Sequence, residues 1–173
     1  MPKVKRLESV TEMICSAMLR LVKRGTAYDE ITVQMLVDEA KVCRNSFYRN
    51  FRTIDDVFRK GFEEICRKTS SEKDEDGDYD FFSIFRSVCR IFREHDSFFR
   101  TYYTAAPGDY YDTITRHVME SNARGKEADV TPGDHYTYAC RTWLSVGVIT
   151  DWMMRDYDIS IEELTDIVRR HEL

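Results

Sequence analysis

The chain has 173 residues, 42% of them hydrophobic, which is enough to bury the core of one domain or of a small domain joined to a medium one. Its longest apolar run, residues 146–149, is far too short to cross a membrane, and its polar start lacks a signal peptide's apolar core, so we expect a cytoplasmic protein with no membrane segment. The net charge of −5 is distributed unevenly along the chain, since residues 1–60 carry twelve Lys and Arg against eight Asp and Glu, whereas the remainder is acidic. This asymmetry orients the N-terminal part toward polyanions.

The chain opens with a short basic arm, residues 1–6, for which we expect disorder or a reach into a DNA minor groove. Apolar residues then recur every three or four positions and predict a first helix from about residue 7 to Lys23. Gly25 follows, a residue typical of the position just after a helix. This helix is expected to form one wall of a small N-terminal core.

Residues 31–51 predict two short helices separated by a three-residue break at Lys41-Val42-Cys43. Thr32 is suited to cap the first of them, with Ile31 and Leu36 placed as a hydrophobic staple. In the second, Phe47 and Phe51 are four residues apart and face inward. The residue types left on the outer surface suit base edges and phosphates. They are Arg44, Asn45, Ser46, Tyr48, Arg49 and Asn50.

A fourth helix is predicted from Thr53, which has Asp56 three residues on in the pattern of a capping box. The acidic segment 69–80 then loses all apolar periodicity and predicts a loop at a domain boundary. Its aspartates do not make a calcium-binding loop, because Phe85 stands where that loop needs a distal Glu.

Three aromatic-rich helices are predicted at about residues 79–94, 97–105 and 109–122, the last two separated by Pro107-Gly108. So many aromatic residues at helical spacing indicate either a filled core or the lining of a pocket for an apolar ligand. The candidate lining residues are Phe85, Cys89, Tyr102, Tyr103, His117 and Trp143.

After a second loop at residues 122–133, a long helix is predicted from about residue 134 to 155 and a last helix begins at Ser160. The long helix has apolar residues on more than one face, which predicts burial both in its own domain and against a partner. Together the two helices predict a four-helix dimer interface. The candidate interface residues are Trp143, Gly147, Leu164, Ile167 and Val168.

The segments Ile31-Thr32-Val33, Ala40-x-Val42, Ser46-Phe47-Tyr48-x-x-Phe51 and Ile54-Asp55-Asp56-Val57 resemble the helix-turn-helix of tetracycline-repressor (TetR) family transcription regulators. Residues 7–65 match best, and the last two helices are also similar to those of many members. Three positions depart from the family pattern: Lys41 replaces a turn Gly, Cys43 replaces a Ser or Thr cap, and Ile54 replaces a phosphate-contacting Lys.

The resemblance implies an all-α fold of about nine helices. A three-helix helix-turn-helix DNA-binding domain, residues 1–52, is followed by a helical effector-binding and dimerisation domain, residues 53–173. It also implies DNA binding by Thr32, Lys41, Arg44, Asn45, Ser46, Tyr48, Arg49 and Asn50. Among these we expect Arg44 and Asn45 to read bases, and Thr32, Tyr48 and Asn50 to contact phosphates.

The expected function is therefore a dimeric, ligand-responsive transcription regulator, usually a repressor in this family, that binds a palindromic operator. Its expected partners are double-stranded DNA, a second copy of the chain and a small-molecule effector, with no cofactor. The alternative is a TetR-like helical interaction protein without sequence-specific DNA binding.

Enzymatic and metal-dependent functions are not indicated. The histidines at 95, 117, 135 and 171 have neither metal-ligand nor catalytic-triad spacing. The five cysteines are widely separated and form no C-x-x-C pair, which predicts free thiols rather than disulfides or a zinc site.

Overall fold

The computed structural model describes residues 9–69, 81–123 and 131–171. These ranges contain nine α-helices, one short 3₁₀ helix and no β-strand, which confirms the predicted all-α fold. The helices are α1 (Val10–Lys23), α2 (Val33–Ala40), α3 (Arg44–Asn50), α4 (Ile54–Thr69), α5 (Phe81–Glu94), α6 (Asp96–Ala105), α7 (Pro107–Ala123), α8 (Pro132–Met154) and α9 (Ile161–His171), with the 3₁₀ helix at Tyr28–Glu30.

The chain forms two compact units, Met1–Asp74 and Glu75–Leu173. Helix α4 belongs to the first unit because it packs along α1, so this division falls later than the functional boundary expected after residue 52. The expected basic arm at 1–6, the acidic segment from residue 70 to 80, with its aspartates, and residues 124–130 of the second expected loop lie outside the described residues.

Helix α1 is the centre of the first unit, since α2, α3 and α4 all pack against it. It begins with a capping box, in which Glu12 N donates to Ser9 Oγ (3.2 Å) and Ser9 N donates to the Glu12 carboxylate (2.7 Å). It ends as predicted before Gly25, whose φ of 85° favours glycine. The fully buried side chains of this core include Ile14, Met18, Leu36, Phe47, Val57 and Phe58.

In the second unit α8 packs against α5, α6 and α7, and α9 packs against α5. The rings of Phe92 and Phe99 stack with their centroids 4.0 Å apart. Two hydrogen bonds tie buried polar groups together in this core: the Trp152 indole donates to Ile159 O (2.9 Å), and the hydroxyls of Tyr110 and Thr150 lie 2.9 Å apart. Burial raises the pKa of Tyr110, so its hydroxyl stays neutral.

Two prolines extend helices beyond their predicted starts. Pro107 and Gly108, predicted to separate α6 from α7, are instead the first two residues of α7, and α8 begins at Pro132 rather than near residue 134. Proline is favoured at the first helical position, where its missing N–H has no partner to lose. The 3₁₀ helix was not predicted because three residues carry no periodicity. It is held by Tyr28, whose hydroxyl donates to Asp55 and whose ring lies 5.5 Å from that of Phe58.

Candidate functional site

Helices α2 and α3 form a helix-turn-helix whose local geometry follows the sequence. Thr32 Oγ1 accepts a hydrogen bond from Met35 N (3.2 Å) and so caps α2, as predicted. Lys41 then adopts the left-handed conformation, with φ 59° and ψ 40°. The turn is closed by Val42 N donating to Val37 O (3.0 Å), and α3 begins at Arg44.

Two phenylalanines fix the orientation of α3. Phe47 and Phe51 are 0% and 4% exposed, and their ring centroids are 5.6 Å apart, which confirms that they face inward. The opposite side of the helix meets solvent. Its exposed residues are Arg44, Asn45, Tyr48, Arg49 and Asn50, while Ser46 is half-buried.

Arg44 and Tyr48 form a pair one helical turn apart on this surface. Arg44 Nη2 donates to the Tyr48 hydroxyl (3.3 Å), and the guanidinium carbon lies 5.8 Å from the Tyr48 ring centroid. This contact uses one of the five donors of the guanidinium group. Arg44 therefore keeps donors for base edges or phosphates while its side chain is partly ordered.

The polar side chains of Asn50 and Ser46 are engaged within the protein. Asn50 Nδ2 donates to Ser46 O (2.7 Å), and Asn50 Oδ1 accepts a hydrogen bond from Thr11 Oγ1 on α1 (3.1 Å). Ser46 Oγ lies 3.1 Å from Cys43 Sγ, and this hydrogen bond lowers the pKa of the Cys43 thiol. Both side chains thus make hydrogen bonds within the first unit, which residue type alone did not reveal.

The acidic residue Glu39 of the helix-turn-helix is paired with arginines of α1 and its C-terminal end, whereas the basic residues of the turn and of α3 form no ion pair with a described residue. Glu39, on α2, is bound by Arg20 (Nε to Oε1, 2.6 Å) and by Arg24, and the hydrogen bond from Arg20 is the main reason that its pKa is lowered. Within the part of the chain that the structure describes, Lys41, Arg44 and Arg49 form no ion pair. Their positive charge is therefore available to a polyanion.

The second unit contains a cavity of about 50 Å³ between α5, α7 and α8. Its walls are mostly branched and aromatic, and its polar lining comes from α8. The lining residues are Phe81, Ile84, Phe85, Val88, Phe92, Ile114, Val118, Arg141, Thr142, Ser145, Val146 and Ile149.

Of the predicted pocket residues, Phe85 alone lines this cavity. Tyr102 is fully buried in the aromatic core, where its hydroxyl donates to Asp109 Oδ2 (2.6 Å). Tyr103 packs its ring against Tyr110, with centroids 5.3 Å apart. Cys89 is fully buried, with a pKa raised by burial to about 12, while His117 is half-buried. Tyr102 is thus part of the filled core and Tyr103 is half-buried beside it, and neither lines the cavity as predicted.

Trp143 also lies outside the cavity lining, because its side chain is 55% exposed on the outer face of α8. The sequence interpretation missed Arg141 and Thr142, which border the cavity instead. The sequence did contain a signal for this face of α8, since residues 142, 145, 146 and 149 recur at helical spacing.

The predicted dimer-interface residues divide into two groups. Trp143 (55%) and Ile167 (39%) are exposed, and a Cβ placed on Gly147 meets no described heavy atom within 4 Å. Leu164 and Val168, however, are 5% and 2% exposed because α9 packs on α5 of the same chain. Those two residues therefore belong to the core of the second unit, a correction to their assignment. Further exposed residues of α8 are Tyr136, Cys140 and Met154.

The described residues contain neither a candidate membrane span nor a candidate metal cluster. None of the helices there combines the length and the hydropathy that a membrane span requires. In the same ranges, no group of three or more His, Cys, Asp and Glu side chains is arranged to hold a metal ion.

No protein-family model matches the chain, and no curated protein does. Among solved structures, the chain is similar to a crystal structure of the multidrug binding protein EbrR complexed with imidazole, with 13% identity and a TM-score of 0.58 over 98% of this chain and 96% of that one. A Clostridium perfringens putative fatty acid metabolism regulator aligns with a TM-score of 0.47, 16% identity and coverage of 90% and 94%. The chain thus shares the all-helical fold of the EbrR structure.

Proposed function

We propose that this protein is a dimeric, ligand-responsive transcription regulator of the tetracycline-repressor type that binds a palindromic operator through α2 and α3. One observation carries the proposal: α3 is anchored by buried Phe47 and Phe51 while Arg44, Asn45, Tyr48 and Arg49 are exposed on its other side. A short helix that presents donors suited to base edges and phosphates on a rigid support is the arrangement by which helix-turn-helix proteins enter the major groove.

The proposed roles follow from position and residue type. Arg44 and Asn45 lie at the N-terminal end of α3, which enters the groove first in helix-turn-helix docking, and they are assigned to base edges. Thr32, Lys41, Tyr48 and Arg49 are exposed around them and are assigned to phosphates. Asn50 and Ser46 are assigned a supporting role, through their hydrogen bonds to Thr11 and Cys43.

Dimerisation is part of the proposal because a single first unit has one short recognition helix and few unpaired positive charges. Linking two first units makes the second half-site contact intramolecular, at an effective concentration that can reach the millimolar range. The exposed α8 face containing Trp143 and Gly147, with Ile167 of α9, supports a second copy as its occupant. The open space at Gly147 suits close approach of a partner helix.

The effector is proposed to bind in the second unit. The EbrR structure, which has the same fold, contains imidazole, and this chain has a cavity between α5, α7 and α8. At about 50 Å³ this cavity is well below the roughly 300–1,000 Å³ of drug-sized pockets, so it favours a small ligand.

Selection from a randomised double-stranded DNA library, followed by gel-shift titration of the enriched sequence, tests DNA recognition. We expect an enriched sequence with two inverted half-sites separated by about one helical turn. The Arg44→Ala/Asn45→Ala double variant is the matched control, since it removes the proposed base contacts and leaves Phe47 and Phe51 in place. Enrichment of no sequence, with equal weak binding to all DNA, would favour the alternative of a helical interaction protein.

A further inference from the structure

We propose that the cavity between α5, α7 and α8 is a binding site for a small monocarboxylate, whose carboxylate is held by Arg141 and Thr142 and whose short aliphatic chain occupies the apolar interior. This inference rests on the proposed function only in naming that ligand as the effector. Binding itself is a property of the second unit, because every lining residue lies between Phe81 and Ile149.

The Thr142 side chain is a buried polar group at the edge of the cavity. Thr142 is 1% exposed and lines the cavity, yet its hydroxyl oxygen makes no hydrogen bond to any described residue. Two other buried helical threonines of this unit bond to the carbonyl one turn earlier: Thr115 to Tyr111 O (2.6 Å) and Thr165 to Ile161 O (2.6 Å). Buried hydroxyl groups are ordinarily satisfied, so Thr142 marks a place where a ligand acceptor completes the structure.

Arg141 supplies the positive charge that is proposed to bind the carboxylate. Its guanidinium carbon lies 5.1 Å from the ring centroid of Phe81, and both residues border the cavity. Stacking on an aromatic ring orients the planar guanidinium, whose fork of donors matches a carboxylate. The rest of the lining is largely apolar, including Phe85, Val146 and Ile149, and suits a hydrocarbon chain.

The cavity volume sets the length of that chain. Its volume of about 50 Å³ compares with the roughly 150 Å³ of an engineered apolar cavity that takes up benzene. A short aliphatic acid therefore fits this space better than an aromatic drug. Butyrate is accordingly the probe, with 1-butanol and n-butylammonium as neutral and cationic molecules of the same chain length.

The experiment measures the melting temperature of the full chain by thermal shift and the affinity by calorimetry, without DNA and at constant ionic strength maintained with sodium chloride. We expect butyrate to raise the melting temperature in a concentration-dependent manner, and 1-butanol and n-butylammonium to leave it unchanged. Stabilisation follows because a ligand that binds only the folded state shifts the unfolding equilibrium.

Two variants test whether Thr142 and Arg141 are responsible for butyrate binding. Thr142→Val keeps the shape and removes the unsatisfied hydroxyl, so it should raise the melting temperature of the ligand-free protein while weakening butyrate binding about tenfold. Arg141→Met should weaken butyrate binding at least about tenfold. Thr137→Val is the matched control on α8, since that exposed threonine bonds to Gly133 O (3.0 Å) and should leave butyrate binding unchanged.

The proposal would be overturned if butyrate caused no shift in melting temperature, or if butyrate and 1-butanol bound equally well. It would also be overturned if folded Thr142→Val and Arg141→Met bound butyrate with wild-type affinity. The butyrate measurements contain no DNA, so their outcome does not depend on whether the protein recognises DNA. Release of an enriched operator by butyrate, measured afterwards by gel shift, would identify the carboxylate as the effector. Binding of butyrate without release would leave the site in place and contradict its assignment as the effector site.

Discussion

Thr11 of α1 donates a hydrogen bond from Oγ1 to Oδ1 of Asn50, the last residue of α3, over 3.1 Å. Asn50 Nδ2 also donates to Ser46 O (2.7 Å), so both polar ends of this side chain are used inside the first unit. The pair links the C-terminal end of α3 to α1, the central helix of the first unit. Asn50 was expected to contact phosphate, and this geometry favours a positioning role instead.

Loss of this hydrogen bond should weaken operator binding without removing a phosphate contact. We expect Thr11→Val and Asn50→Ala to lower affinity while leaving the slope of log affinity against log salt concentration unchanged. Arg49→Ala is the control, because loss of one phosphate contact should reduce that slope by about one. Gel-shift titrations at several salt concentrations measure both quantities. A reduced slope in Asn50→Ala would restore the phosphate assignment.

Base reading is predicted for Arg44 and Asn45 at the start of α3. Replacing either by Ala should cost about 1–3 kcal/mol of operator binding and relax the preference at one base pair. Binding to a library randomised one position at a time measures this. Unchanged base preference in both variants would contradict the assignment.

Lys41 holds a left-handed conformation that a side chain with a Cβ adopts at a cost. We expect Lys41→Gly to raise the free energy of unfolding by about 0.5–1 kcal/mol, as measured by urea denaturation. Lys41→Ala is the control: it removes the same charge but keeps the Cβ, so it should not be more stable than the wild type. Equal stability of the Gly and Ala variants would show that the turn is not strained at this residue.

Gly147 is predicted to lie at the contact between two copies of α8. A Cβ there meets no described heavy atom within 4 Å, so we expect Gly147→Trp to fold but to separate the dimer by overfilling the interface. Sedimentation should show a monomer, and operator affinity should fall. Gly108→Trp places the same side chain at another open position and should remain dimeric. A Gly147→Trp monomer with wild-type operator affinity would contradict the role given to dimerisation.

Asp56 links stability to pH at the start of α4. Its carboxylate accepts hydrogen bonds from Arg59 (2.6 Å), Arg52 N (2.8 Å) and Thr53 N (3.0 Å), and its pKa is lowered, mainly by Arg59. A folded-state pKa below the unfolded value of about 3.9 means that the stabilisation is fully present above about pH 4 and is lost as pH falls through the folded pKa.

Asp56→Asn should therefore flatten the decline in unfolding free energy below about pH 4, as measured by denaturation at a series of pH values. Asp29→Asn is the control, because the Asp29 carboxylate forms no hydrogen bond or ion pair with a described residue. An acid decline as steep in Asp56→Asn as in the wild type would show that this carboxylate does not contribute.

Features set by residues close together in the sequence were predictable. Thr32 caps α2, Gly25 follows α1, and the Ser160 hydroxyl accepts from Glu163 N (3.1 Å) at the start of α9, all as the sequence predicted. Phe47 and Phe51 also face inward as their spacing requires. These outcomes depend on caps, turns and helical period, which involve only neighbours within about one turn.

Features set by residues far apart required the tertiary structure. Periodicity identified an apolar stripe on α9 but not what covers it, and Leu164 and Val168 proved to be buried against the same chain. The predicted tyrosines Tyr102 and Tyr103 lie outside the cavity, which Arg141 and Thr142 border instead. The partner of Asn50 lies 39 residues away on another helix. The sequence determined which faces of the helices are apolar. Only the packing of the helices decided which of these faces are buried against a neighbour, which border the cavity and which remain exposed. The reason is that burial depends on neighbouring helices, which helical periodicity does not specify.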